Sequence, residues 1–428
     1  MIYFFIYVYL GLVVVVFRLG YPQKLVTMSR SNLALPESEA RWKSLVTAYK
    51  LQNTTIHDRQ FTNSASTMGH MQAILCRPIA EVRGLSKLFE VGRPEFVDDD
   101  SINRARILIN ERDSFQRYLQ YLQEQPKRSP VTEFGPWTMI RKYHHEIEPE
   151  DRPKTMTTRS QSQHPAQPTT RPHTPEPADL SESSSLPDIS FLTMDSDTGS
   201  YYAGGGGGKE QERADGEQVV NLVLVQFFDL LTLPYQGGMF KYSYDRKRFQ
   251  VRTLDENGDQ VKVFEARTDG VCMDSSGEEI WLIFEAKAER QFEDNNDVGY
   301  AIQETGELAA VVSSHPPKDL KPGKKNPYVL ISQNMDQIWV TLAKVDKAYV
   351  DFITGKMRNK RDPKSFLDMT TIGPFFTKNK NHIKDLSTFV LAYTLKRMGI
   401  LGLPWPESEE IELPPCSLFR HTASESTL

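Results

Sequence analysis

Thr268-Asp269-Gly270, followed by Glu285-Ala286-Lys287, decides how the chain is read: an acid closes one apolar segment, and an acid-x-lysine closes the next. Residues 261–269, Val-Lys-Val-Phe-Glu-Ala-Arg-Thr-Asp, read as a strand, and residues 280–287, Ile-Trp-Leu-Ile-Phe-Glu-Ala-Lys, read as another. Between them, Asp274-Ser275-Ser276-Gly277-Glu278 has the composition of a turn. A symmetric hairpin folding at Ser276-Gly277 sets Asp269 opposite Glu285. Side chains alternate along a strand, so Glu285 and Lys287 share a face. Two carboxylates and an ammonium then converge on one point.

That trio suits one divalent cation and a water held against a phosphate. Mg²⁺ takes oxygen ligands, commonly one or two carboxylates completed by waters and substrate phosphates. Asp269 and Glu285 supply the carboxylates, the Ala286 carbonyl is a third oxygen, and Lys287 orients the water or stabilises developing negative charge. The competing reading is a surface hairpin with a cross-strand salt bridge. The unbroken apolar run before Glu285 favours a buried central strand that delivers polar residues only at its end.

Working outward, residues 217–231 read as a helix that is apolar nearly all round (Val223, Leu224, Phe227, Phe228, Leu230), hence buried. Glu217 at its start either complements the helix dipole or reaches the metal site as an extra acid. Residues 297–313 read as a second helix, with Val298, Ile302, Ala309 and Val312 on one stripe. Gln303 and Glu307 lie on another face, with Glu304 beside them. Gln303 is either a solvated residue or part of the site.

The order is helix, strand or hairpin (239–251), strand, strand ending in Glu-x-Lys, helix, strand (328–332). It is that of an α/β domain with a restriction-endonuclease-like αβββαβ core, a mixed sheet flanked by helices. On these residues the chain resembles the PD-(D/E)XK nuclease superfamily. It is similar to fungal PD-(D/E)XK nuclease-like proteins, over about 213–402. Segments 329–333 (Val-Leu-Ile-Ser-Gln) and 372–375 (Ile-Gly-Pro-Phe) fit as well. The resemblance implies a nuclease that hydrolyses phosphodiester bonds in DNA or RNA with Mg²⁺ or Mn²⁺. It maps an early Glu, an Asp, a Glu-x-Lys and a helical Gln onto Glu217, Asp269, Glu285, Lys287 and Gln303. The alternative is a non-catalytic domain of this fold that binds nucleic acid or a protein. Two positions depart from the pattern. Thr268 precedes Asp269 where proline is usual, and Glu307 replaces the Tyr that the Gln-x-x-x-Tyr subgroup carries four residues after its Gln.

Composition is compatible with this and adds little. The formal net charge of the 428 residues is −5, so no global basic field points to nucleic acid. Basic residues cluster locally, at Lys318, Lys321, Lys324 and Lys325, at Lys356, Arg358, Lys360, Arg361 and Lys364, and at Lys378, Lys380 and Lys384. Each cluster either contacts phosphates or is a solvated loop. Three widely spaced cysteines (Cys76, Cys272, Cys416) indicate neither a disulfide framework nor a zinc site.

Residues 1–30 contain an uncharged apolar run, 2–17, slightly short for a membrane span. It is either a membrane anchor or a start-site artefact ahead of Met28. Residues 31–148 read as a helical accessory region whose best element is one helix over 101–123 closed by Pro126. Residues 149–212, rich in Pro, Ser and Thr and ending in the Gly204–Gly208 run, read as a disordered linker. A last helix is expected over 386–401, and 403–428 as a loose tail.

Overall fold

The computed structural model describes residues 34–58, 64–124, 207–255, 257–287, 297–357 and 365–400, with short pieces at 6–9, 12–15, 137–138 and 140. Residues 1–148 and 213–428 form one compact unit and residues 149–212 another. The linker assignment lies almost wholly outside the described residues, as does the tail. Of the Gly204–Gly208 run, Gly207 and Gly208 are described, and they are helical.

The first unit is built on a mixed seven-stranded sheet. Its strands are β3 (Pro78–Arg83), β4 (Phe240–Ser243), β7 (Gly270–Asp274), β8 (Ile280–Lys287), β9 (Asn326–Asn334), β10 (Gln337–Val345) and β11 (Leu367–Phe376). The order across the sheet is β3-β11-β10-β9-β8-β7-β4. Only β3–β11 and β8–β9 are parallel pairs. From Ile280 to Phe284 every residue of β8 is buried, which explains the absence of alternation in this stretch: a central strand covered on both faces can be apolar throughout. On one face lie α4 (Asp99–Glu111), α5 (Asp113–Glu124), α6 (Gly207–Gln236) and α9 (Lys380–Ile400). On the other lie α1 (Glu39–Ala48), α2 (His70–Leu75), α7 (Asp297–Ser314), α8 (Lys347–Ile353) and the two-stranded sheet of β5 (Lys247–Leu254) and β6 (Gln260–Thr268). The remaining described elements are the helix α3 (Leu88–Gly92) and the pair β1 (Ile6–Tyr9) and β2 (Leu12–Val15).

Several expectations are corrected. Residues 261–268 do not pair with 280–287; of that segment only Asp269 does, through its N–H to the Phe284 carbonyl. The chain leaves one sheet at Thr268 and enters the other at Gly270, so β6 pairs with β5, and β7 makes the hairpin with β8. The strand or hairpin expected over about 239–251 is two strands in different sheets: β4 joins β7 and β5 joins β6. The cause is burial. Residues 271–273 are covered on both sides, whereas β5 and β6 alternate and cover the sheet as a second layer. The turn falls where its composition places it, with Gly277 at φ +76° and its N–H bonded to the Asp274 carbonyl at 2.9 Å.

The helix expected from Glu217 begins ten residues earlier, at Gly207, so Glu217 is inside α6 and cannot serve its dipole as an end residue. The single helix over 101–123 breaks at Arg112, whose Nη1 donates to the carbonyls of Leu230 and Leu231 at 2.9 and 3.0 Å. The accessory region is not wholly helical, because β3 from it forms an edge of the main sheet. The described part of the N-terminal apolar run pairs as a strand hairpin. Among the described residues one helical stretch, Glu217–Gln236, is long and apolar enough to cross a membrane, and half of it is buried in the fold.

Gly270 shows how tightly the sheet switch is packed. A Cβ there would lie 2.9 Å from Val225 Cγ2 of α6 and 3.0 Å from the Ser243 carbonyl oxygen. The carbonyl belongs to a paired strand and cannot yield cheaply. Gly270→Ala is therefore expected to destabilise the protein by roughly 1–3 kcal/mol, measured by denaturant unfolding. Because the displaced backbone carries Asp269, the same change should weaken whatever Asp269 binds.

Candidate active site

Asp269 sits in the one-residue gap between β6 and β7, with its N–H bonded to the Phe284 carbonyl at 3.0 Å. This continues the β7–β8 register by one residue and places Asp269 beside Glu285 and Ala286. Asp269 Oδ2 accepts from the Ala286 N–H at 3.0 Å, and Asp269 Oδ1 pairs with Arg246 Nε at 3.0 Å. The neighbours Val271 and Ile283 both pack on the α7 side of the sheet, so strand alternation puts Asp269, Glu285 and Lys287 on that same side.

Glu285 is 4% exposed. Its Oε1 accepts from Lys287 Nζ and, at 2.6 Å, from Gln303 Nε2 of α7. Its Oε2 is buried without a partner. Gln303 Nε2 also donates to Glu307 Oε1 at 2.7 Å, so one amide group bridges two carboxylates. Glu307 is buried, and its Oε2 too lacks a partner. Behind them, Glu304 accepts from Ser332 Oγ at 3.0 Å and Thr341 Oγ1 at 2.8 Å, and Thr341 is bonded in turn to Thr371 at 2.9 Å. Hydroxyls from β9 and β10, the second of them bonded to one from β11, thus satisfy an acid that the interior would otherwise not tolerate.

The electrostatics follow from burial. Desolvation lifts the Glu285 carboxyl to about 7; the charge of Asp269 adds to the rise, while Lys287 and the Gln303 hydrogen bond oppose it. Glu307 is pushed up for the same reason, with Glu285 as its repelling neighbour. Glu304 is raised by burial against the pull of its two hydroxyl bonds. Burial would lower Lys287, but Glu285, Glu307 and Asp269 together overcome it and hold the ammonium well above its ordinary range. Lys287 is therefore a fixed cation.

The structure brings together Asp269, Glu285, Ala286, Lys287 and Gln303. Glu217 is not brought in: among the described residues it makes no hydrogen bond or ion pair with them. One turn further along α6, Asn221 reaches the site instead, donating from Nδ2 to the Asp269 carbonyl at 2.9 Å. Glu307, Glu304, Arg246 and Asn221 are the residues that the sequence alone did not assign. The first two carried a signal, since acids three apart on a helix that continues as Leu308, Ala309 and Val311 must be buried with partners. Arg246 and Asn221 carried none.

The basic clusters are distributed differently from a single groove. Lys318, Lys324 and Lys325 lie near the start of β9, opposite the end of β8 that carries Glu285, and Lys318 and Lys325 pair with Glu278 and Asp368. Lys378 and Lys380 lie near the site end, where the Thr377 N–H bonds Asp336 beside the β9–β10 turn. Residues 358–364 fall outside the described residues. Among the described residues, no group of three His, Cys, Asp or Glu side chains is placed to hold a metal ion. No protein-family model matches the chain, and no curated protein does.

Proposed function

We propose that the chain is a metal-dependent nuclease with a restriction-endonuclease-like core, hydrolysing phosphodiester bonds in nucleic acid. The observation that carries this reading is the convergence of Asp269, Glu285 and Lys287 at the end of a central strand. Glu285 there keeps a buried oxygen with no partner. The order α6, β-strands, β8 ending in Glu-x-Lys, α7, β9 supports it.

The donor set fits a hard cation. A three-acid cage is absent among the described residues, but Mg²⁺ commonly takes only one or two protein carboxylates. Asp269 and Glu285 would hold Mg²⁺ or Mn²⁺. The Ala286 carbonyl is the third oxygen, since the N–H and C=O of one strand residue face the same edge and this N–H faces Asp269. An ion bound there polarises a phosphoryl oxygen and lowers the pKa of a coordinated water. Lys287 holds a proton at Nζ throughout and orients the attacking oxygen or stabilises charge on the phosphate. Gln303 fixes the Glu285 carboxylate, with Glu307 fixing Gln303. Glu217 has no part in this reading.

The reading is tested by thermal unfolding of the full chain with and without Mg²⁺ or Mn²⁺. A ligand of the folded state alone stabilises it by RT ln(1 + [L]/Kd), about 1.4 kcal/mol at ten times Kd. Glu285→Gln should remove most of that shift, because an amide cannot replace a carboxylate on a hard cation. A second reading, a domain that binds without cutting, is favoured by the pairing of both acids with cations, Asp269 with Arg246 and Glu285 with Lys287. Absence of any metal-dependent shift, with and without a non-cleavable oligonucleotide, would favour it.

A further inference from the structure

The β5–β6 hairpin begins and ends at the candidate site. Arg246, just before β5, pairs with Asp269, just after β6. One face of the hairpin is apolar: Phe249, Val251, Phe264 and Ala266 are buried in the layer that includes α7. The opposite face is polar apart from Leu254 at its far end, and its register is unusual. Arg248 stands directly opposite Arg267, and Arg252 opposite Lys262, with Gln250 opposite Glu265 between them. Like charges directly across a ladder are destabilising, and a ribbon with no external partner has no reason to carry two such pairs in succession.

The face does not neutralise itself. Glu265 is its one acid, accepting from Arg267 Nε at 3.1 Å and Gln250 Nε2 at 3.0 Å, with Lys262 at 3.9 Å. Arg252 is held by neutral amides, Gln250 Oε1 at 2.9 Å and Gln260 Oε1 at 3.3 Å. Arg248 is exposed and has no acidic partner among the described residues. Four cations against one acid therefore face solvent on a rigid, backed ribbon.

We propose that this outer face, with Arg248, Arg252, Lys262 and Arg267, is the track for the phosphate backbone of the nucleic acid, leading to Asp269 and Glu285. Arg246, Arg248 and Arg252 have the same strand parity, and from the first to the last is roughly 20 Å of extended chain. That is about six nucleotides of rise along one strand of a duplex. Arginine suits the role because its planar fork binds phosphate bidentately. A polyanion is favoured over a lipid surface because this face carries four cations and a single exposed apolar side chain, Leu254 at the end away from the site, and because the row leads to carboxylates suited to a metal. The proposal rests on the nuclease reading for the identity of the polyanion.

The test is equilibrium binding of the full chain to labelled single-stranded and duplex oligonucleotides, DNA and RNA, in Ca²⁺ to suppress cleavage, across a salt series. The variant is R248Q/R252Q/K262Q/R267Q. It should bind about tenfold or more weakly at ~0.1 M salt, and the slope of log K against log [salt] should flatten by about 2–4. Its melting temperature should be unchanged or higher, since repulsion is relieved. If it unfolds, R248Q/R267Q alone should show about half the change in slope. Unchanged affinity and slope would overturn the proposal. So would loss of binding to phosphatidylserine vesicles with nucleic-acid binding retained, which would assign the face to lipid. The Mg²⁺-dependent thermal shift should survive in the variant. A wild type that shows that shift but binds no oligonucleotide overturns the track and leaves the metal site standing. A track-dependent oligonucleotide binder that never cleaves supports the track and removes the catalytic reading.

Discussion

Lys287→Ala is expected to lower the rate of metal-dependent cleavage by roughly a hundredfold or more, the scale on which loss of one preorganised charge-stabilising donor is felt. The side chain is 18% exposed and lies against Glu285 with Glu307 and Asp269 nearby. It is thus a charge placed where a phosphate would arrive, and among the described residues no other cation pairs with Glu285. Arg246 is committed to Asp269 on the other side of the site. The same substitution also acts on stability, because Lys287 is the cation paired with the buried Glu285. Above pH 7 the loss should be about 1–3 kcal/mol. Near pH 6 it should be smaller, since a carboxyl already raised to about 7 takes a proton instead of remaining an unpaired anion. Stopped-time product analysis on folded protein, with circular dichroism at both pH values, separates the two effects. Cleavage within threefold of wild type would show that Lys287 is structural only.

The second large effect is a pH dependence of the metal-free protein. The Glu285 carboxyl lies at about 7 in the fold against 4.5 for the ordinary side chain. Between those values the folded state holds a proton that the unfolded state has released, so stability is fully present below 4.5 and falls as pH rises through 7. The shift corresponds to about 3 kcal/mol at most. It should appear as a fall of several degrees in melting temperature between pH 5 and pH 8 in EDTA. Glu285→Gln should flatten the curve, and Glu307→Gln should flatten it further, since Glu307 is raised by the same burial. Divalent ions should reverse the trend above pH 7. The ion takes the place of the proton on Glu285, so its affinity rises with pH across this range. A metal-free protein whose stability rises from pH 5 to pH 8 would contradict this picture of Glu285.

How much of this was legible in the sequence differs from residue to residue. The run Ile280–Phe284 is a buried central strand in the structure as in the sequence, because being covered on both faces leaves no alternation to misread. The face shared by Glu285 and Lys287, and the position of Asp269 beside them, follow from parity and a turn centred on Gly277. The sheet switch at Asp269 does not follow. A strand that ends one sheet and a strand that begins another look alike when no residue but one separates them. The clue, Gly270, acts through Val225 and Ser243, which are distant in sequence. The start of α6 is not legible, because glycines argue against helix locally, whereas the buried apolar residues of this helix lie further along it. Glu307 was visible as a departure from a family pattern. Its consequence was not, since only the packed helix shows one Gln303 amide holding it against Glu285. The repelling pairs of the β5–β6 hairpin were invisible for the same reason, because they exist only in the register.

The central claim is that Asp269 and Glu285 support metal-dependent cleavage of nucleic acid. The most direct measurement is incubation of the full chain with end-labelled single-stranded and duplex DNA and RNA in Mg²⁺, Mn²⁺ or EDTA, beside Asp269→Asn. The account predicts products with the wild type in Mg²⁺ or Mn²⁺, none in EDTA, and none with Asp269→Asn. Cleavage by Asp269→Asn at the wild-type rate, or no cleavage of any substrate by folded wild-type protein, would contradict it.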